Sequence, residues 1–138
     1  MVTEALVVRI KQILAMGKAG NVDEAYKAYA QLFRSAEFRS YPPEEQRGAI
    51  KLVANIKVPP SRPTPAQIDA FKAAIEPMQE ILGGTGAPED FQWLGICQMV
   101  AGNEKEASEL FRTGLKIERD RNPQSDLCGS LMKWVAAV

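Results

Sequence analysis

The segment Ala19-Gly20-Asn21-Val22-Asp23-Glu24-Ala25 returns 82 residues later as Ala101-Gly102-Asn103-Glu104-Lys105-Glu106-Ala107, identical at five of seven positions. Each copy fits the corner between two helices. Glycine takes the left-handed conformation that ends one helix, asparagine caps the next, and glutamate three residues on returns the bond. The alanines that follow, Ala25 and Ala107, let the paired helices approach closely, and Tyr29 and Phe111 project from the same face four residues later. The duplication therefore reads as a stacking unit.

Outward from the corners, the chain keeps helical spacing. Leu6, Ile10, Ile13 and Leu14 share one helix face, as do Ala25, Tyr29, Leu32 and Phe33, then Ile68, Phe71, Ile75 and Met78, and finally Leu127, Leu131, Trp134 and Val135. Weaker stripes at Ile50 and Val53, Phe91 and Leu94, and Ala107 and Phe111 bring the count to about seven helices, with no run of period two. The reading is all-α, a single domain over 1–138. Thr64-Pro65-Ala66-Gln67 forms a helix start, and Asn122-Pro123 and Ala87-Pro88 place proline in the same way. Pro77 predicts a kink or break in the fourth helix, 58–65 a stiff proline-rich connector, and Gly83-Gly84-Thr85-Gly86 a flexible turn. The helices pair as 4–18 with 21–37, 43–57 with 65–82, and 88–101 with 103–119, followed by a capping helix at 123–137 that covers the last apolar face.

Composition narrows the chemistry. The 138 residues are 46% apolar and 25% charged, with seventeen basic and seventeen acidic side chains. No overall field draws the chain to nucleic acid or an anionic membrane. Histidine is absent, which removes imidazole acid/base catalysis, the Ser-His and Cys-His nucleophile pairs and most zinc or haem ligation. Cys97 and Cys128 have no CxxC spacing and lie in apolar stretches, as buried thiols do in a reducing compartment. Met1-Val2-Thr3-Glu4 lacks the basic start of a signal peptide, and Arg9 and Lys11 interrupt the apolar residues that follow. A cytoplasmic protein with no cofactor and no metal is expected.

The segment Phe91-x-x-Leu94-Gly95-x-x-Gln98, followed by Gly102, Ala107, Phe111 and Gly114, resembles a tetratricopeptide repeat, whose pattern runs Trp-x-x-Leu-Gly-x-x-Tyr and then Gly, Ala, Phe and Ala at those intervals. It departs at Gln98, at Phe91, and at Pro123, which falls four residues late. The first copy keeps only Gly20, Ala25 and Tyr29. The resemblance implies a short right-handed superhelix, an α-solenoid of about three antiparallel hairpins and a C-terminal cap. It also implies a non-enzymatic adaptor or scaffold that holds a peptide or helix of a partner protein on its concave face. Carried onto the fifth helix, the family's groove positions fall on Glu89, Gln92, Ile96 and Met99, and Ile96 and Met99 are equally suited to burial. Ile10 and Leu14 stand where a carboxylate clamp needs polar groups.

Other motifs carry less. Pro60-x-x-Pro63 is a connector before it is a polyproline ligand, Gly83–Gly86 lacks the Gly-Lys-Ser/Thr ending of a phosphate cradle, and Glu44, Glu45, Glu104 and Glu106 suit helix starts. Leu110-Phe111 after Ala107 also resembles pentatricopeptide units, and Arg112, Lys116, Arg119 and Arg121 make the sixth helix locally basic, so RNA binding is the first alternative. A neutral chain with few repeats makes nucleic acid the lesser partner. An enzyme with a tertiary-assembled site is the second, marked by a deep cleft holding a buried carboxylate pair. Self-association is left open.

Overall fold

A computed structural model describes residues 3–138; Met1 and Val2, the start of the N-terminal segment read above, lie outside the described residues. Those residues form eight α-helices: α1 (Glu4–Lys18), α2 (Val22–Arg34), α3 (Ala36–Ser40), α4 (Pro43–Ala54), α5 (Pro65–Thr85), α6 (Pro88–Val100), α7 (Glu104–Arg121) and α8 (Asp126–Ala137). No strand occurs among them, and none of these helices is long and apolar enough to cross a membrane.

The duplicated corners fold alike. Gly20 has φ 91° and Gly102 φ 94°, in the left-handed region that costs an ordinary residue about 1 kcal/mol or more. At the first corner Asn21 N donates to Met16 O (2.9 Å) and Gly20 N to Gly17 O (3.1 Å). At the second, Asn103 N donates to Gln98 O (2.8 Å) and Gly102 N to Met99 O (3.1 Å). These are paired Schellman bonds, which satisfy the last carbonyls of the preceding helix. The caps differ from expectation, because neither asparagine side chain bonds the next helix. Each asparagine begins that helix through its own carbonyl, which accepts from Ala25 N or Ala107 N at 3.0 Å. Asn103 Nδ2 turns back to Gln98 Oε1 at 2.6 Å.

Several boundaries also differ. The second helix ends at Arg34 because Ser35, extended at ψ 145°, caps the short α3 by accepting from Phe38 N through its side chain. The eighth helix follows from that insertion. In α5, Pro77 is buried and the helix runs across it and on through Gly83, Gly84 and Thr85, so the expected break is absent and the expected turn shrinks to Gly86, at φ 59°, and Ala87. Packing against α2, α4 and α6 outweighs the local preference. The proline-rich connector expected from 58 is non-helical, but it begins at Asn55, because α4 ends at Ala54 rather than at 57. α8 starts at Asp126, later than 123, because Ser125 supplies the cap.

The packing order is α1 on α2, α2 along α5, α5 on α6, α6 on α7 and α7 on α8, with α4 laid on α5 and α6. At the α6–α7 crossing, a Cβ on Gly95 would stand 2.5 Å from Cε1 of the fully buried Phe111. Phe111 stacks in turn on Trp134 of α8, with centroids 5.7 Å apart and planes at 15°. Gly114 makes the second close approach, where a Cβ would lie 2.8 Å from Phe91 Cβ. In the other half, Tyr29, Phe33, Phe38 and Tyr41 form an aromatic chain that fixes α3 against α2.

Two buried carboxylates brace this core. Asp90, fully buried in α6, receives Arg47 Nε at 2.6 Å and Nη2 at 2.9 Å, and Thr85 Oγ1 at 2.6 Å, joining α4, α5 and α6. Glu118 accepts from Ser125 Oγ at 2.7 Å and thereby orients the cap of α8. On the surface, Arg34 grips Asp69 through two bonds of 2.7 Å and holds its carboxyl below the usual range. That pair is half exposed and contributes less than about 1 kcal/mol.

Gly95→Ala should destabilise the protein by about 1–3 kcal/mol through overpacking. Gly129→Ala in α8, where a Cβ meets nothing within 4 Å, should be neutral or stabilising by up to about 1 kcal/mol. Urea unfolding followed by circular dichroism compares the two. In the same assay Asp90→Ala should cost about 3 kcal/mol by leaving Arg47 without its partner.

Candidate binding cleft

A cleft of about 460 Å³ opens between α6, α8 and the connector that follows α4. Its floor is apolar: Trp93 and Ile96 of α6 and Trp134 of α8 are 6%, 1% and 4% exposed. Asn55, Ile56 and Lys57 form one wall, and Ser130 and Lys133 belong to the wall supplied by α8. α6 is apolar around most of its circumference because α4, α5, α7 and α8 surround it. Only a strip of it therefore faces the cleft.

The side chains at the floor are fixed by bonds to their neighbours. Gln92, 5% exposed, accepts from Ser130 Oγ at 2.6 Å and so ties α6 to α8 across the cleft. Trp93 Nε1 donates to Glu89 Oε1 at 3.0 Å. Lys51 Nζ sits 3.7 Å from that carboxylate and 5.3 Å from the Trp93 ring centroid, which adds an ion pair and a cation–π contact on the outer edge. Held in this way, the indole presents a defined face.

The charges at the rim are less fully matched. Lys57 and Lys133 are exposed and have no carboxylate within 4.0 Å among the described residues. Asp126 also lines the cleft, but it stands in the first turn of α8, where a carboxylate complements the helix dipole. Gly129, mid-helix and exposed, leaves the α8 wall open. The arrangement offers an apolar, aromatic base with two cations above it.

Of the four positions expected on the groove, Gln92 and Ile96 line the cleft. Ile96 is floor and core at once. Glu89 is half-buried at the edge, where it acts on the cleft through Trp93. Met99 lies outside it, half-buried against the core further along α6. The sequence reading passed over Asn55, Lys57, Trp93 and Gly129. Trp93 was the available signal, a large aromatic on the same helix face as Glu89 and Ile96. Asn55 and Lys57 reach the cleft only through tertiary packing.

The thiols and buried acids are engaged elsewhere. Burial pushes the Cys97 thiol up to about 12, so it stays protonated at neutral pH. Asp90 and Glu118 are buried separately, the first bonded to Arg47 and Thr85 and the second to Ser125, and neither lines the cleft. No group of three or more His, Cys, Asp or Glu suited to a metal ion occurs among the described residues. Comparison of the chain with protein-family models, curated proteins and solved structures found no match.

Proposed function

We propose that the protein is a non-enzymatic adaptor or scaffold whose cleft between α6, α8 and the connector after α4 holds a segment of a partner protein. The observation that carries this reading is the cleft's composition. An aromatic and aliphatic floor lies beneath Lys57 and Lys133, beside the open backbone of Gly129. Binding segments commonly combine a buried apolar anchor with polar contacts at the rim. The matching segment carries an apolar side chain for Trp93 and Ile96 and carboxylates for the two lysines. Gln92 and Ser130, already bonded to each other, fix the floor in advance, which reduces the entropy lost on binding.

The helix order supports the wider reading as well. The connector after α4, together with α6 and α8, lines the cleft, whereas α5, packed on α4 and α6, and α7, packed on α6 and α8, contribute no residue to it. That alternation supports the reading of a short right-handed, tetratricopeptide-like superhelix, in which first helices line the concave side. Two buried free thiols are compatible with work in the reducing cytoplasm.

Gly129→Trp fills the cleft from a position with no internal neighbour, so it should abolish partner capture while the helical circular dichroism stays unchanged. Lys57→Glu with Lys133→Glu should weaken the mapped partner peptide at least about tenfold, or ~1.4 kcal/mol. The measurement is a comparative pull-down from the native cell, followed by peptide mapping and titration. Partners retained equally by Gly129→Trp would overturn the assignment, and salt-sensitive RNA retention in their place would favour the nucleic-acid alternative. Met99→Glu is expected to reduce stability instead, because Met99 packs on the core.

A further inference from the structure

A second apolar depression lies away from the cleft, between α1 and α4. The two helices run in the same direction: Thr3 N donates to Glu45 Oε1 at their starts (2.6 Å), and Leu52 near the end of α4 lines the same hollow as Ile13 and Leu14 of α1. Two hollows of about 360 Å³ each meet at Leu52, one by the starts of α1 and α4 and the other by their ends, where α2 adds Val22 and Tyr26. Its large apolar side chains are left uncovered, with Leu14 44%, Leu52 51% and Val22 51% exposed. Gly17 and Gly48 also line it, and a Cβ at either would meet nothing within 4 Å. Gly48 stands inside a helix, where glycine costs about 1 kcal/mol relative to alanine. Unlike Gly95, it has no internal packing reason to be glycine.

The charges along the groove indicate what covers it. Glu44 and Glu45 line one end and Lys18 the other. Glu4, in the first turn of α1, adds to the acidic end. A copy related by a twofold axis near Leu52 reverses that order and sets Lys18 of each chain against Glu44 and Glu45 of the other. A copy laid parallel would place like charge on like. We propose that this groove is the contact surface of a twofold dimer, with α1 and α4 of one copy antiparallel to α1 and α4 of the other. Leu14 and Leu52 of both chains then form a shared four-helix core, and the bare backbone at Gly48 lets the helices close on it. Such an isologous contact needs one self-complementary patch, which the groove supplies. Helix dipoles also oppose favourably in this arrangement.

Sedimentation equilibrium between about 1 and about 300 µM tests the proposal on the full chain, and the wild type should reach twice the chain mass within that range. Leu52→Glu, at a half-exposed position, should be monomeric with unchanged helical circular dichroism. Glu45 already accepts from Thr3 N, so the charge test uses Glu44. Lys18→Glu should weaken the dimer about tenfold or more, and combining it with Glu44→Lys should recover most of the loss. A wild type that stays monomeric throughout overturns the proposal and leaves the groove to a helix of another protein. A dimer indifferent to Leu52→Glu and to the charge swap overturns it equally, by placing the contact elsewhere.

Discussion

The ring of Phe111 lies against the bare backbone of Gly95 on one side and against the indole of Trp134 on the other. That contact sets the separation of α6 and α7 and the position of α8. Any side chain at Gly95 would hold the first two helices apart, and without Trp134 the Phe111 ring would lose its stacking partner. The cleft inherits its shape from this arrangement, since its floor consists of α6 and α8 residues placed by the same crossing. Asp90 completes the frame. Its bonds to Arg47 and Thr85 fix the end of α5 and the flank of α4 against the start of α6.

Local chemistry was the legible part of the sequence. A glycine, an asparagine and an alanine at fixed offsets specify a helix corner wherever they occur, and both copies adopt the same backbone bonds. Thr64 caps α5 as its sequence position suggests. The apolar stripes likewise mark the residues that are buried, including Leu6, Ile13, Phe33, Phe71 and Leu131. Each of these features depends on neighbours within one or two turns.

What was illegible depends on distant partners. Ser35 starts an extra helix, and the aromatic chain that holds it links residues from α2 to Tyr41. Pro77 and the Gly83–Gly84 pair look like breaks, yet α5 is clamped along its length and absorbs them. Half of the candidate site was visible for the same reason: Gln92 and Ile96 share a helix face, whereas Lys57 and Gly129 join them only because α8 and the connector after α4 both come against α6. Glycine showed the limit most clearly. Gly95, Gly48 and Gly129 are equivalent letters in the sequence, but only Gly95 has a ring pressed against it.

The walls of the cleft are made of different materials. Its floor and its α8 wall are helical and bonded to each other, while Asn55, Ile56 and Lys57 belong to an irregular connector that follows α4. Ile56 packs against the core, but Asn55 and Lys57 are exposed, so exchanges at those two positions can reshape that wall at little cost to folding. One bank of the cleft is therefore free to vary in shape and charge, while the opposite bank and the bed are held by the demands of the core.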